Sequence, residues 1–466
     1  MFDYDFVVLG GGSAGYAAAR TAVAEGLRTA VIDGAARLGG LCILRGCMPS
    51  KTLIESAHRY RVLRRAEEFG LRAGEIGFDA REIIARKRRL VGEFADYRRG
   101  QLEAGTFDLL RGAAEFVDSE TVSVVLQEGG MRTVRARSFL IATGSVVAVP
   151  PVPGLAESGC WTSDDVLECE SLPSSLTVLG GGPVGLELAC YAANLGVRVT
   201  VIQRSAQLLS GSDADVAEAM LVGMREEGVE IFVGTKLVAI DAGEAGFTAI
   251  FEHEGELKRI ESVRLLNALG RRASLDVIGN SGVEIAAGRL ATTPDQRTSR
   301  KNIFAAGDVC GPLEVVHVAI QQGEIAARNA ARLLGKRSDA DELIDYRLKL
   351  FAVFSEPQFA SVGATESELL KRGIAFAAAK YSFADHGKSI VMGETGGFVK
   401  LLVDAGSREI LGASVVGPYA AELIHEVAVA MRFRATAGDL ATIPHYHPTL
   451  SEIWTYPAEE LACTGD

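Results

Sequence analysis

Two cysteines stand close together near the start of the chain, Cys42 and Cys47 in the segment GGLCILRGCMPSK. Such a pair could bind a metal, form a structural disulfide, act as a redox pair or simply pack in a core. On a regular helix, Cα atoms at i and i+5 lie about 8–9 Å apart, beyond the limit of about 7 Å for a disulfide. The two thiols can therefore bond only if the segment is distorted, and Gly46 is the residue type that allows this. A zinc site would need further ligands nearby, and none follow.

A histidine and a glutamate near the other end of the chain form a second reactive combination, His447 and Glu452 in PHYHPTLSE. Histidine titrates near neutral pH and can take a proton from a thiol or return it. Glu452 would then orient the imidazole and stabilise its charge. Alternatively, Thr449 and Glu452 form a capping box and His447 is an exposed surface residue. The other histidines that we considered are interpreted as structural: His317, His425 and His445.

The elements that would position these groups include two copies of one pattern, at 3–33 and 174–203. Each copy reads as a buried strand, a glycine turn, a helix and a second strand. Glycine lets the turn approach a pyrophosphate at the helix N-terminus, so two copies predict two dinucleotide sites. The glycines of the two turns are Gly10, Gly12 and Gly15, and Gly180, Gly182 and Gly185.

The two copies differ at the position where an acidic residue would bind an adenosine ribose. The first copy has Asp33 there, whereas the second has Gln203 followed by Arg204. Gln203 removes a charge that would repel a 2′-phosphate, and Arg204 adds one that could pair with it. This difference favours NADPH over NADH, although Arg204 could also be a solvated surface residue.

The bulk properties narrow the classes of function. A chain of 466 residues is too long for one core and should divide into two to four domains. The net charge of −12 argues against nucleic acid or an anionic membrane surface as a partner. No apolar run reaches the roughly 18–20 residues of a membrane span, and no signal peptide is recognised, so we expect a cytoplasmic protein. Its 7 cysteines are then not a disulfide framework, and a pair that does bond is catalytic rather than structural.

The pattern G-G-x-C-x₄-G-C-x-P-S-K at 39–51 resembles the redox-active disulfide of the FAD-dependent pyridine nucleotide–disulfide oxidoreductases. That family includes dihydrolipoamide dehydrogenase, glutathione reductase and mercuric reductase. The resemblance continues in order through ATGS at 142–145, the second glycine unit, GD at 307–308 and the terminal HPTLSE.

The resemblance implies an α/β fold with two Rossmann-like domains of the three-layer ββα/βαβ type and a C-terminal α+β dimerisation domain. We expect four segments: 1–146, the first part of the FAD-binding domain; 147–269, the NAD(P)-binding domain; 270–341, the second part of the FAD-binding or central domain; and 342–466, the dimerisation domain.

The family's functional residues map onto this sequence. Cys42 resembles the interchange thiol that meets the substrate, and Cys47 resembles the flavin-proximal thiol. Lys51 and Glu187 resemble the ion pair beside flavin N5, and Asp308 resembles the residue that contacts the ribityl chain. Further cofactor contacts are expected at Thr143, Gly144 and Gly270.

The same resemblance implies a catalytic role for His447 and Glu452, which in the family serve the disulfide of the other subunit. The protein would then be a homodimer with a shared active site and no metal. PSK after Cys47 and the HYHPT tail are most like dihydrolipoamide dehydrogenase, whereas VIQRS departs from the acidic strand end of an NADH-linked one.

The predicted activity is electron transfer between a dithiol or disulfide and NAD(P)(H), through FAD and the two cysteines, with dihydrolipoamide as the leading substrate. One alternative is an NADPH-dependent reductase of another disulfide, a quinone or a metal ion. An alternative of another class is an assembly subunit of a 2-oxoacid dehydrogenase complex.

Overall fold

The structure is a computed structural model that describes residues 1–463. Its strands are β1 Tyr4–Leu9, β2 Thr29–Asp33, β3 Asp108–Asp118, β4 Thr121–Leu126, β5 Met131–Ile141, β6 Ser145–Val147, β7 Ser175–Leu179, β8 Arg198–Ile202, β9 Glu230–Phe232, β10 Lys236–Gly243, β11 Gly246–His253, β12 Glu256–Ser262, β13 Arg264–Asn267, β14 Arg271–Ala273, β15 Ile285–Ala286, β16 Arg289–Leu290, β17 Ile303–Ala305, β18 Leu350–Val353, β19 Gln358–Gly363, β20 Phe376–Ser382, β21 Phe398–Asp404 and β22 Ile410–Gly417.

The α-helices are α1 Ser13–Ala24, α2 Gly40–Leu44, α3 Cys47–Arg64, α4 Ala80–Glu103, α5 Ser163–Leu167, α6 Pro183–Asn194, α7 Ala214–Glu226, α8 Val316–Leu333, α9 Glu366–Lys371, α10 Gly387–Met392, α11 Ala420–Arg432, α12 Ala437–Thr442 and α13 Thr455–Cys463. Short 3₁₀ helices cover Ala66–Phe69, Tyr346–Leu348, Phe383–Asp385 and Ser451–Trp454. Among residues 1–463, none of the helices has both the length and the apolarity needed to cross a bilayer.

The chain forms two compact units. Unit 1 contains Met1–Thr52, Ala85–Ala148 and Gly270–Asp345, and unit 2 contains Leu53–Ile84, Val149–Leu269 and the chain from Tyr346 onward. The division into four domain segments that we expected from the sequence stays a prediction.

Unit 1 is built on a parallel sheet in the order β3-β2-β1-β5-β17, and β4 pairs antiparallel with both β3 and β5. Successive side chains of a strand point to opposite faces. Phe6 and Val8 therefore pack with the alanine-rich faces of α1 and α8, while Val7 and Leu9 pack with the extensions of β3, β4 and β5. Helices, parallel sheet and antiparallel meander form the three layers that the sequence predicted.

Unit 2 repeats this arrangement with the parallel sheet β13-β7-β8-β9 and the antiparallel meander β10-β11-β12. Leu176 and Val178 of β7 share a core with α6 and α7. Leu179 on the other face packs with Ile240 and Phe251 of the meander. The predicted α/β fold with two dinucleotide-type units is confirmed.

The last part of unit 2 is an antiparallel sheet in the order β18-β19-β22-β21-β20. Strands β21 and β22 form a hairpin of this sheet, and helix α11 follows it in the chain. Trp454 is fully buried in the core of this sheet, and its indole N–H donates to the Leu423 carbonyl at 3.1 Å. This layer fixes the position of the segment that carries His447 and Glu452.

A buried lysine joins three acidic side chains within unit 2. The Lys400 ammonium lies 2.7 Å from Asp213, 2.8 Å from Asp215 and 2.9 Å from Glu366, and the Lys400 side chain is only 1% exposed. Burial opposes the charge on Lys400, but the carboxylates outweigh it and raise the pKa of the lysine. Burial likewise disfavours the charge on Asp215, yet bonds from Lys400 and Lys380 lower the pKa of that carboxyl.

We expect Lys400→Met to destabilise the protein by about 3–5 kcal/mol, because it leaves the buried Asp213 and the half-buried Asp215 and Glu366 without their cation. The thermal unfolding midpoint at pH 7 should fall by roughly 5–10 °C. Lys380→Met is the matched control, since Lys380 is half exposed and should cost at most about 1 kcal/mol.

The pH dependence gives a second check on Lys400. Because the folded-state pKa of Asp215 is lowered, its contribution to stability is present above the unfolded value of about 4 and is lost as the pH falls through the folded pKa. This acid-dependent loss should be smaller in the Lys400→Met protein. Equal melting midpoints for the Lys400→Met and Lys380→Met proteins at pH 7 would contradict the assignment.

Candidate functional site

The first glycine loop in unit 1 follows β1 and leads into α1. A Cβ atom on Gly15 would lie 1.8 Å from the Gly10 carbonyl oxygen, and Gly10 itself has φ +108°. The Asp33 carboxylate accepts the Gly11 N–H at 2.8 Å, which ties the loop to the end of β2. Gly12 is the N-cap of α1 and makes no side-chain cap hydrogen bond. The loop therefore presents a helix N-terminus that a phosphate can approach.

The second glycine loop has the same construction in unit 2. A Cβ atom on Gly185 would lie 2.1 Å from the Gly180 carbonyl oxygen, whereas one on Gly182 would have no atom within 4 Å. The Gly181 N–H donates to Gln203 Oε1 at 2.9 Å, as the corresponding amide does to Asp33 in the first loop. Gln203 thus keeps the acceptor that supports the loop but carries no charge.

The neighbouring arginine faces solvent. Arg204 is exposed, and no hydrogen bond or ion pair is assigned to its side chain within residues 1–463. Gln203 is held in place at its other end, where its amide donates to the Gln207 carbonyl at 3.2 Å. The geometry leaves the Arg204 guanidinium free to meet a ligand at the end of β8.

The two cysteines lie on separate helices rather than on one. Cys42 is in the short helix α2, and Cys47 is the first residue of α3. Between them, Gly46 comes so close to the α2 backbone that a Cβ there would lie 3.0 Å from the Leu41 carbonyl oxygen and 3.2 Å from Cys42 Cα. The segment is therefore distorted where the sequence required it, and Gly46 is needed for this close approach.

The cysteine segment packs directly on the first glycine loop. Gly40, at φ +74°, lies so near Gly12 that a Cβ on Gly40 would be 2.7 Å from the Gly12 Cα. Gly39 has φ +143°, a conformation that other residues rarely adopt. These glycines place Cys42 and Cys47 beside the loop that would receive a dinucleotide.

The Cys42 thiol makes a side-chain hydrogen bond with Cys47, and both residues are half-buried. This bond, together with burial and the charge of Cys47, raises the pKa of Cys42 well above its ordinary value. These contacts disfavour a thiolate at Cys42. The N-terminus of α3 favours negative charge on Cys47.

Two basic residues act on the Cys42 thiol. The positive charge of Lys51, in the first turns of α3, works to lower the pKa of Cys42. Arg98 of α4 lies with its guanidinium carbon 4.2 Å from the centre of the Tyr16 ring, and its Nε is buried without a hydrogen-bond partner. Burial lowers the pKa of Arg98, and Tyr16 and Cys42 counteract this.

Three of the other predicted cofactor residues, Thr143, Gly144 and Gly270, lie together in unit 1. Thr143 donates from its hydroxyl to the Ser274 carbonyl at 2.7 Å, and the Ser274 N–H donates to the Gly144 carbonyl at 2.9 Å. The Gly270 carbonyl accepts the Ala148 N–H at 3.0 Å. These bonds pair the ATGS segment with the chain around β14.

Asp308 is connected to the same segment. Its carboxylate accepts the Ser145 hydroxyl at 2.6 Å, and Arg271 donates to the same hydroxyl oxygen at 2.7 Å. Asp308 is half-buried at the end of β17, beside Gly307 at φ +81°. A carboxylate at the carboxyl end of parallel strands is where ligands of such sheets bind.

Glu187 lies in unit 2, whereas Lys51 belongs to unit 1. Glu187 is buried on α6, and its carboxylate accepts the Phe354 N–H at 3.0 Å. The ion pair expected between Lys51 and Glu187 stays a prediction.

The histidine and glutamate near the C-terminus form a pair. His447 Nδ1 lies 2.9 Å from Glu452 Oε2 and 3.2 Å from Oε1. The Glu452 side chain is 10% exposed, whereas that of His447 is 78% exposed. The capping-box alternative is wrong, because Glu452 lies in the 3₁₀ helix Ser451–Trp454, whose N-cap Leu450 makes no side-chain cap hydrogen bond. Glu452 instead binds Nδ1 of His447, and the rest of the His447 imidazole is exposed to solvent.

Two further histidine contacts lie close to this pair. His445 has its own partner, with Nε2 2.6 Å from Glu426 Oε1, in agreement with a structural role. His386 approaches Glu452 from a distant part of the chain, with Nε2 3.4 Å from Oε1. Our sequence reasoning missed His386, since no local motif marks it and only the tertiary fold brings it to Glu452.

The residues present fit FAD in the first unit and a pyridine nucleotide in the second. In both loops the first and third glycines are required by close backbone contacts, and neither N-cap, Gly12 of α1 or Gly182 of α6, makes a side-chain cap hydrogen bond, so a phosphate can approach these helix N-termini. In unit 1 the cysteine pair and Asp308 accompany that loop. Unit 2 contains the second loop, Glu187 and the His447–Glu452 pair.

Comparison with known proteins agrees with this site. Residues 4–323 match the family model "Pyridine nucleotide-disulphide oxidoreductase", and residues 351–458 match the dimerisation domain of the same family. The dihydrolipoyl dehydrogenase of Chlorobaculum tepidum is 34% identical over 454 residues, which are 96% of this chain and 95% of that protein. That of Geobacillus stearothermophilus is 34% identical over 457 residues, 97% of this chain and 95% of its own.

Solved structures give the same result. LpdA from Mycobacterium tuberculosis matches with a TM-score of 0.87 and 28% identity, covering 98% of this chain and 99% of that one. The HOCl-induced flavoprotein disulfide reductase RclA from Escherichia coli matches with a TM-score of 0.84 and 27% identity, again over 98% and 99% of the two chains. The chain therefore belongs to the pyridine nucleotide-disulphide oxidoreductase family, and it is an FAD-dependent enzyme with a dimerisation domain.

Proposed function

We propose that this enzyme oxidises a dithiol of the dihydrolipoamide class and passes two electrons to a pyridine nucleotide through Cys42, Cys47 and FAD. The observation that carries the proposal is the contact between the two thiols in a broken helix packed on the first glycine loop. The relatives named dihydrolipoyl dehydrogenase, which align over nearly the whole chain, support this substrate class.

The reaction begins with the pair oxidised as a disulfide. His447 takes the proton from one substrate thiol, and its Glu452 partner stabilises the resulting imidazolium. The substrate thiolate attacks Cys42 Sγ, a bond forms between them, and the bond from Cys42 to Cys47 breaks. Cys47 leaves as a thiolate, which the N-terminus of α3 stabilises.

The second substrate thiol then closes the product. Its sulfur attacks the substrate sulfur of the mixed disulfide, the bond from that sulfur to Cys42 breaks, and the proton of the second thiol passes to the leaving Cys42 thiolate. The substrate is now a cyclic disulfide and the protein holds a dithiol, so two electrons have moved to the cysteines. The raised pKa of Cys42 supports this distribution, with the proton on Cys42 and the negative charge on Cys47. FAD supplies the two-electron acceptor between the cysteines and the pyridine nucleotide.

The active site is shared in this proposal between two subunits of a homodimer. The family's dimerisation domain is present at 351–458. The His447 side chain is 78% exposed and turns only its Nδ1 side to its own chain, which supports its use by a partner's disulfide.

The direct test is a steady-state assay of the purified holoenzyme with dihydrolipoamide, lipoamide, glutathione disulfide and Hg(II), each with both nucleotides. Turnover of dihydrolipoamide with NAD⁺ or NADP⁺ well above the other substrates is expected. Inactivity with lipoamide and dihydrolipoamide would defeat the proposed substrate.

A second candidate function is reduction of a different disulfide or of a metal ion. It is favoured by the match to RclA, described as a flavoprotein disulfide reductase and also solved as a Cu(II) complex. The same assay, extended to Cu(II) and a quinone, separates the two. NAD(P)H-driven reduction without lipoamide activity would favour this candidate.

We also place the enzyme in the cytoplasm, where NAD(P)(H) is available and thiol pairs are kept reducible. Cell fractionation with a cytoplasmic marker tests this location, and recovery outside the marker fraction would refute it.

The nucleotide preference is proposed to depend on Arg204. We expect Arg204→Ala to raise the KM for NADP(H) by roughly 10-fold, since it removes a charge that pairs with the 2′-phosphate, and to leave the KM for NAD(H) nearly unchanged. Gln203→Glu is the complementary variant, because glutamate keeps the acceptor for the Gly181 N–H but repels a 2′-phosphate. A wild-type enzyme that strongly prefers NAD(H), with Arg204→Ala unchanged, would contradict the assignment.

A further inference from the structure

The Glu452 carboxylate that pairs with His447 is also approached by a second imidazole, that of His386. His386 is fully buried, and its Nε2 lies 3.4 Å from Glu452 Oε1. Its Nδ1 lies 2.9 Å from Ser389 Oγ, a contact that holds one side of the ring. Among residues 1–463 the buried Nε2 has no hydrogen-bond partner, although the Glu452 carboxylate lies within ion-pair distance of it.

The surroundings of His386 favour one tautomer. An ionised carboxylate can only accept, so we place the hydrogen on Nε2, the nitrogen that lies 3.4 Å from Glu452. Nδ1 then accepts from the Ser389 hydroxyl. A buried N–H left without a partner costs about 1–3 kcal/mol, so the hydrogen on Nε2 favours a position of Glu452 close to it.

The charged and titratable groups around His386 are few. The charges of Glu452, in the 3₁₀ helix Ser451–Trp454, and of His447, in the loop before it, affect the pKa of His386. The Tyr456 ring of α13 packs edge-on, with its centre 6.3 Å from the centre of the imidazole. Asp385 and Lys388 are its neighbours along the chain, and Asp385 is exposed. Burial lowers the pKa of His386, and the charge of His447 lowers it further, while Glu452 works to raise it.

We propose that His386 is a positioning residue: its neutral imidazole directs an N–H at Glu452 Oε1 and keeps this carboxylate turned toward His447. Glu452 then shares its negative charge between two imidazoles. A carboxylate divided in this way stabilises the imidazolium of His447 less than an undivided carboxylate would. This inference rests on the proposed role of the His447–Glu452 pair.

The test measures the pH profile of kcat/KM for dihydrolipoamide oxidation in holoenzyme variants. His386→Leu removes the donor and should raise the apparent pKa of the acidic limb by about 0.5–1 unit, because Glu452 becomes more basic and retains the proton on His447. His386→Gln supplies an amide donor near the Nε2 position and should restore the wild-type profile. An NMR titration of His447 should give the same shift without turnover.

The outcomes separate this inference from the proposed function. Glu452→Gln should move the limb in the opposite direction, to lower pH, because the imidazolium loses its counter-charge. If Glu452→Gln changes neither kcat/KM nor its pH profile, the proposed catalytic role of the His447–Glu452 pair is wrong, and the inference about His386 is wrong as well. If Glu452→Gln has its expected effect but His386→Leu leaves the profile and the His447 titration unchanged, His386 only packs and the inference alone is overturned.

Discussion

We expect the Cys42→Ser enzyme to lose turnover of dihydrolipoamide and lipoamide by roughly 1000-fold or more while retaining its flavin. Serine has nearly the same volume but cannot form a disulfide with Cys47, so no mixed disulfide with the substrate can form. The Gly40–Gly12 contact that places α2 on the glycine loop does not involve the thiol, and the site for FAD should stay intact. Steady-state assay and the flavin absorbance of the purified protein measure the two quantities.

A second thiol provides the control for Cys42→Ser. Cys169 is half-buried in unit 2, and its thiol donates to the Ser171 carbonyl at 3.0 Å, a contact that a serine hydroxyl can also make. The Cys169→Ser enzyme should have wild-type activity. Substantial lipoamide turnover in the Cys42→Ser enzyme would exclude a relay through the Cys42–Cys47 pair.

The His447→Gln enzyme should lose about 100- to 10,000-fold in dihydrolipoamide turnover, the usual contribution of a general acid–base group. Glutamine keeps a polar side chain but cannot take the proton of the substrate thiol near neutral pH. Reduction of the bound flavin by NAD(P)H, which needs only the nucleotide loop, should be nearly unchanged. Stopped-flow measurement of each half-reaction separates the two effects.

The neighbouring pair of His445 and Glu426 supplies the matched control, since His445→Gln makes the same change two residues away. Its turnover should stay within about threefold of wild type. A larger loss in His445→Gln than in His447→Gln would mean that the base is wrongly assigned.

Mixed dimers test the sharing of the site. A heterodimer of Cys42→Ser and His447→Gln subunits would contain one site with both defects and one intact site, so about half of the wild-type activity should return. No recovery in a purified heterodimer would show that each subunit uses its own histidine.

Much of the fold could be predicted because its signals are local. Strand, glycine turn and helix follow one another in each dinucleotide unit, and the required glycines are identified by contacts within a few residues, such as Gly10 with Gly15. The continuous apolar run FVVL in β1 was enough to indicate a strand buried on both faces.

The spacing of Cys42 and Cys47 predicted that the helix is broken between them, but not which contacts the break makes. Their separation demanded a distortion if the thiols were to meet, and glycine at 46 indicated its place. The sequence did not show that Gly46 would serve by close approach to the α2 backbone, nor that Gly40 would rest on Gly12. Both are contacts between backbones, and the residue types in the sequence do not identify which backbone atoms will meet.

By itself, the sequence determined the chemistry of this protein: two glycine loops, a pair of thiols and a histidine–glutamate pair, each encoded within a short segment. Tertiary structure alone decided the surroundings that tune these groups. It gave Gln203 the role that Asp33 has in the first unit, and it brought His386 to Glu452. The physical reason is that a pKa or an orientation depends on burial and on charges a few ångströms away, and those neighbours come from distant parts of the chain.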